Sequence, residues 1–219
     1  LTTWGTAWDD ITASNFVITA ENLKVEWVMQ GNFPVKDWEA LRSNLSLQTE
    51  LAAQIAYDMA QKYDEHICQV AVAGAGNVVS TAALDKSNIY AEISKMRVLL
   101  SKDDAMEDAA LFVNPDVTSL IRQAAEFDGY REGLSVREQP SFVGRLAGFS
   151  VYETNVSTLG SYMLAFDKKS VHFAEQMMKM DIRKEPKGFR TNIMLESLYQ
   201  AKVFPNNANR ICKHQYTLG

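Results

Sequence analysis

Apolar and polar positions follow two different periods along this chain, and the switches between them lay out its elements. Leu23, Val25, Trp27 and Met29 alternate with Lys24, Glu26 and Val28. This period of two, broken at Val28, predicts a β-segment. From Trp38 the period changes. Leu41, Leu45, Ala52, Ile55, Met59, Tyr63, Ile67 and Val70 recur at steps of three and four, with Gln48 filling one gap, and no Gly or Pro interrupts residues 35–73. The spacing predicts one amphipathic helix of about 30 residues, about 45 Å long at 1.5 Å per residue. Globular helices average about 11–12 residues, so a helix this long is a strut along one side of the molecule.

A second helical pattern runs from Ser87, as N-cap, through Ile89, Ile93, Met96 and Leu100. ALFVNPDVTSLIRQAAEF then predicts a buried strand at Leu111 to Val113, an Asn114 cap, Pro115 at the first helical position, and a helix presenting Val117, Leu120, Ile121 and Ala124. Residues 128–141 form a polar loop, followed by a glycine-punctuated strand pair in GRLAGFSVYETN. Strands YMLAF and SVHFAEQ flank a DKK turn. A charged β-segment, QMMKMDIRKEP, carries Met178, Met180 and Ile182 on one face, and NIMLESLYQAKVFPNN reads as a further strand. The fold class is α+β, without the βαβ alternation of a parallel sheet and without an internal repeat.

Composition narrows the chemistry. The 219 residues are 47% hydrophobic and 22% charged, an ordinary globular balance able to bury a core without staples. No apolar run reaches the ~20 residues of a membrane span, so no membrane association is expected. The start, LTTWGTAWDD, lacks signal-peptide regions, and Leu1 in place of Met implies a processed chain or part of a longer product. A net charge of −5 and a pI near 5.3 argue against gripping nucleic-acid phosphates. The densest basic stretch, MKMDIRKEPKGFR, is interrupted by Asp181 and Glu185 and reads as a solvated edge. All four Trp fall within the first 38 residues. They suit packing on another subunit or a local core.

Specific chemistry is hard to find. ICQVAVAGAGNVVS suggests a dinucleotide turn at Gly74-Ala75-Gly76, but Val79 stands where the third glycine belongs, and helical sequence precedes it instead of a short strand. The two glycines read better as the stop of the long helix. His66, His172 and His214 show no metal-ligand spacing. Asp9-Asp10 and Asp103-Asp104 sit in turn-like contexts, and Cys68 and Cys212 are two reduced thiols or one disulfide. No nucleophile–base set is visible. No catalytic residue, cofactor or metal is expected.

The order of the phrases from residue 44 onward carries a resemblance. TELAAQIAYDMAQKYDEHICQ, then ALFVNPDVTSLIRQ, then SFVGRLAGFSVYETN, then SYMLAFDKKSVHFAEQMMKMDIRKEPKGFRTNIMLESLYQAKVFPNN resembles the major capsid proteins of tailed bacteriophages, with their Hong Kong 97-type fold. The resemblance covers roughly residues 40–210. It implies a spine helix with peripheral and axial domains: 1–33 as the end of an arm or extended loop, 34–72 with 177–200 as the peripheral domain, and 73–176 with 201–219 as the axial one. It implies a non-enzymatic subunit that assembles as hexamers and pentamers of an icosahedral shell around double-stranded DNA, without sequence-specific binding. Scaffold, portal and decoration proteins are possible partners, and the virion, assembled in the host cytoplasm, is the implied location. An encapsulin-like compartment is the alternative within this architecture, and a nucleotide-dependent enzyme using Gly74 and Gly76 the alternative outside it. Two departures stand out. Only about forty residues precede the spine helix. Where some members crosslink Lys to Asn with a Glu assisting, Asn192 falls near the Asn position but Tyr199 stands about where the Glu would be, so no crosslinking is expected. Assembly-interface candidates are Trp4, Trp8, Trp27, Tyr130, Arg131, Arg145, Asp181, Arg183 and Glu185, together with the spine helix and loop 128–141.

Overall fold

A computed structural model of the chain describes residues 22–36, 46–124, 141–185 and 190–218. Its elements run β1 (Trp27–Lys36), α1 (Ser46–Gly74), β2 (Asn77–Leu84), α2 (Ile89–Lys102), β3 (Ala110–Val113), α3 (Pro115–Gln123), β4 (Phe142–Leu146), β5 (Phe149–Glu153), β6 (Tyr162–Phe166), β7 (His172–Glu185), β8 (Arg190–Lys202) and β9 (Ile211–Leu218). Short 3-10 turns at Ser157–Gly160 and Pro205–Arg210 precede β6 and β9.

The strands form two sheets. One is three-stranded and antiparallel, ordered β1-β8-β7; the other is six-stranded and mixed, ordered β2-β9-β6-β3-β5-β4. Within the mixed sheet β2 lies parallel to β9 and β3 parallel to β5. Parallel neighbours need long crossovers: α3 and β4 lie in the chain between β3 and β5, and everything from α2 to β8 lies between β2 and β9, so neither pair is a simple βαβ unit. β9, held between β2 and β6, is absent from the reading of the sequence. ICKHQYTL mixes polar residues into a strand whose two faces meet different cores, which blurs its alternation.

The strut helix is present. With 29 residues, α1 is about 43 Å long at 1.5 Å per residue. Ala and unbranched side chains dominate its middle, the composition with the lowest entropic cost in a helix. The expected stretch from Trp38 to Leu45 lies outside the described residues. β8, with 13 residues at about 3.4 Å each, runs about 44 Å, so ribbon and helix match in length.

Other boundaries moved. Leu23 and Val25 precede β1, which begins at Trp27. The cap of α2 is Asn88, not Ser87. Asp85 performs the capping, its carboxylate accepting from the Ser87 and Asn88 backbone N–H groups at 2.7 and 3.1 Å. Asn114 does cap α3, accepting from the Val117 N–H at 2.9 Å with Pro115 in the first turn. On α3 the buried residues are Val117, Thr118 and Ile121, and Leu120 is only half-buried. SVHFAEQ and QMMKMDIRKEP, expected as separate segments, form the single strand β7, with a register shift between Gln176 and Lys179 that hides its continuity from a period-two search. Which way Met178, Met180 and Ile182 face lies outside the described side chains. The DKK turn joins β6 in one sheet to β7 in the other. The LAGF turn between β4 and β5 has positive φ at Ala147 (49°) and Gly148 (87°), the geometry a two-residue hairpin requires.

Two cores flank the mixed sheet. α2 and α3 cover one face, burying Ile89, Ile93, Met96, Leu100, Val117 and Ile121 against Leu111, Phe149, Val151 and Met163. At ~1.5–3 kcal/mol for each such side chain, this is the main body of the fold. On the other face Cys68 and Ala71, from the end of α1, meet Leu159, Leu164 and Ile211. Cys68 and Cys212 are both free and buried, in different clusters.

Candidate assembly interface

One turn and more before its end, α1 sits on the three-stranded sheet through a chain of rings made by Tyr63 and His66. Trp27 of β1 lies 5.3 Å from His66, His66 meets Tyr199 of β8 edge-on at 5.2 Å, Tyr199 meets Tyr63 at 4.9 Å, and Tyr63 meets Phe173 of β7 at 5.6 Å. Offset and edge-on pairs at such distances are favourable beyond the area they bury. The Tyr63 hydroxyl bonds Glu175 Oε1 at 2.8 Å and Ser197 Oγ at 2.6 Å. Burial raises its pKa. His66 Nε2 accepts from the Ala201 N–H at 3.4 Å, and burial lowers its pKa. Nearer the helix start, Gly31 lets α1 approach, because a Cβ there would stand 3.0 Å from Ile55 Cγ2. The ring chain ends in solvent on both sides: Trp27 is 55% and Phe173 38% exposed.

The sheet face turned away from α1 is polar. Arg183 Nε donates to Asp181 at 2.7 Å, and Gln30 Nε2 donates to Glu196 at 3.3 Å. They line a hollow of about 200 Å³ with Asn32 and Met194. The candidate charges Asp181 and Arg183 thus satisfy each other within one chain, while the side chain of Glu185 lies outside the described residues. So do Trp4, Trp8, Tyr130, Arg131 and loop residues 128–140.

Arg145 is elsewhere, exposed on β4, at the free edge of the mixed sheet. Opposite Ser150, it shares a face with a ladder of rings that the reading of the sequence missed. Phe166 (β6), Phe112 (β3), Tyr152 (β5) and Phe142 (β4) follow one another at 5.0, 5.8 and 5.5 Å, the first two steps stacked. The signal was the alternation in ALFV and FSVYE, where Leu111, Val113, Phe149 and Val151 turn inward and Phe112 and Tyr152 outward.

The glycines at the end of α1 make a close chain crossing. Added Cβ atoms would stand 2.8 Å from Val203 Cβ at Gly74, and 2.5 Å from Asn209 Oδ1 and 2.8 Å from the Ala208 carbonyl carbon at Gly76. The Gly76 N–H donates to the Ala208 carbonyl at 2.8 Å, and Asn77 Nδ2 donates to the Asn209 carbonyl at 2.7 Å. Neither glycine has positive φ, so the helix stops there to let residues 203–210 pass, not to form a left-handed cap. That segment is further anchored by Arg210, paired with the buried Asp167. Burial opposes ionisation of Asp167, but bonds from Arg210 and Ser170 hold its pKa below the usual value.

His214, fully buried on β9, lies with Nε2 3.1 Å from Glu92 Oε2 and 3.3 Å from Thr81 Oγ1. Burial lowers its pKa despite the Glu92 carboxylate. Among the described residues its Nδ1 has no hydrogen-bond partner. Burial pushes Glu92 up, but bonds from Lys95, His214 and Thr81 hold it below its ordinary value. The arrangement ties α2 to the sheet. Among the described residues no three metal-ligating side chains converge, and no helix is long and apolar enough to cross a membrane.

The model of a family described as phage capsid protein matches residues 23–196. The chain belongs to the phage capsid protein family. Solved structures agree on the fold of this capsid protein. Mycobacterium phage Che8 matches over 97% of this chain and 81% of the other, at TM-score 0.73 and 17% identity. The capsid of cyanophage P-SCSP1u matches over 100% and 82%, at 0.70 and 10%. The mature capsid of bacteriophage PhiM1 matches over 94% and 78%, at 0.62 and 14%. No curated protein matches the chain. The capsid protein is a structural major capsid subunit with a Hong Kong 97-type fold, part of the virion, built into a shell from many copies. The family match favours this over a cellular compartment shell.

Proposed function

We propose that this capsid protein is non-enzymatic and assembles as hexamers and pentamers of an icosahedral shell around double-stranded DNA in the host cytoplasm. The observation that carries the reading is the pairing of a helix about 43 Å long with a two-stranded ribbon of similar length, in a subunit whose family forms phage shells. In this reading residues 34–72 and 177–200 make the peripheral domain, and 73–176 with 201–219 the axial one. The register shift between Gln176 and Lys179 supports a boundary there, since a bulge bends a strand. A net charge of −5 suits a wall that does not grip its genome. Weak contacts repeated in closed symmetry then sum to a stable container.

The shell closes without Lys–Asn crosslinks. Asn192 is buried in β8, and Tyr199 is occupied in the ring chain. The glycine turn, filled by Val203, Ala208 and Asn209, leaves no cradle for a pyrophosphate. The deciding experiment is sedimentation and negative-stain microscopy of the full chain at rising concentration. Rings and closed shells are expected, dissociating to one monomer band on a denaturing gel. A monomer or dimer at all concentrations refutes the shell, and covalent oligomers refute the uncrosslinked closure. Millimolar NAD should leave the melting temperature unchanged, whereas a ligand at 100 times its Kd adds ~2.7 kcal/mol.

A further inference from the structure

The ring ladder on the mixed sheet is half-open on a face that the chain's own helices cover only in part. Phe112 and Phe166 lean on the cluster under α1. Beyond them Ala110, Ser150 and Tyr152 floor a mainly apolar hollow of about 350 Å³, with Lys168 and Asp108 at one rim. Arg145 stands on the same face at the β4 edge, and among the described residues no acid pairs with it. Aromatic rings beside an unpaired Arg are the composition of interface anchors.

Elsewhere on the same chain is a patch of complementary character. Trp27 and Val28, at the start of edge strand β1, are 55% and 51% exposed. Beside them stands the exposed carboxylate of Glu26, paired with Lys24, which is itself 84% exposed. Such a solvent-screened pair is readily exchanged for another.

We propose that the hollow is a socket for the Trp27 corner of a neighbouring copy, with the indole against Tyr152 and Phe112 and Glu26 facing Arg145. The inference rests on the shell reading. Because socket and corner are different patches, the contact is heterologous: it propagates from copy to copy and closes only as a ring. Opposite charges across it set orientation more than strength.

The test is a cysteine pair, Glu26→Cys with Ser150→Cys, in the full chain under assembling conditions. The native thiols are both buried and do not compete. Oxidation should give a ladder of covalent oligomers extending beyond dimers, with none from either single variant. Arg145→Glu should raise the concentration needed for assembly about tenfold, an effect of ~1.4 kcal/mol on association, while leaving the urea midpoint of the free subunit unchanged. If the parent chain forms shells but the pair does not crosslink, the socket is wrong and the shell stands. Crosslinking that stops at dimers also overturns it, since the contact would then be isologous. If the parent chain forms no rings, both readings fall.

Discussion

Replacing Gly76 by Ala tests whether the glycines after the strut helix serve a chain crossing or a ligand. A Cβ at this position would lie 2.5 Å from Asn209 Oδ1, and 2.8 and 2.9 Å from the Ala208 carbonyl carbon and oxygen. Two of these three atoms are backbone, so no rotamer change relieves them. Overpacking of this kind costs ~1–3 kcal/mol. Pushing the two segments apart also weakens the Gly76-to-Ala208 hydrogen bond, a further ~1 kcal/mol. Restricting the unfolded chain returns ~0.4–1 kcal/mol. The net expectation is a loss of about 2 kcal/mol, or about 4–8 °C in melting temperature for a chain of this size. The assay is urea and thermal unfolding of the unassembled full chain, beside Gly160→Ala, where the new methyl group meets nothing within 4 Å. Gly160→Ala should be neutral or slightly stabilising. Equal stability of the two variants would refute the crossing argument and reopen the turn as a vacant binding loop.

Other outcomes follow from the same geometry. Tyr63→Phe keeps the ring contacts but removes the hydroxyl from buried Ser197, and should cost ~1–2 kcal/mol in urea unfolding; no loss would mean that the serine finds water. Arg210→Ala strands the buried Asp167 carboxylate and should cost ~3 kcal/mol or more. Arg183→Ala, from an exposed pair, should cost less than ~1 kcal/mol, so similar losses would sink the distinction. His66 and His214 are both held below their ordinary pKa of 6.5 by burial. Near pH 6.5 the unfolded chain therefore binds protons that the folded chain refuses. Stability should be flat above about pH 7 and fall as pH drops through 6.5 towards 5; a urea midpoint that rises on acidification would contradict this.

What the sequence made legible was local. The strut helix, the Asn114-Pro115 helix start and the LAGF hairpin are each encoded within a few residues, where periodicity, capping and turn chemistry act. What stayed hidden depends on distant partners. β9 was missed because Ile211 and Cys212 belong to cores on opposite faces of the sheet, so neither face shows a clean alternation. β7 was divided because its bulge resets the period at Gln176. The Glu92–His214 pair joins residues 122 positions apart, a separation no spacing rule spans. Among the interface candidates, Trp27 and Arg145 proved exposed. Asp181 and Arg183 proved to be each other's partners, something a list of charged residues does not reveal.

The β7–β8 ribbon has a mechanical consequence. Its two strands run into the six-stranded body through short connections, residues 167–171 and 203–210, which carry the Asp167–Arg210 clamp and the Gly76 crossing. A push along the ribbon is therefore carried to that clamp, and the Gln176–Lys179 shift is a place on the lever where the ladder is interrupted and a bend breaks fewer hydrogen bonds. A wall of such levers can take up small differences in curvature by flexing at one place in each subunit while every core stays rigid.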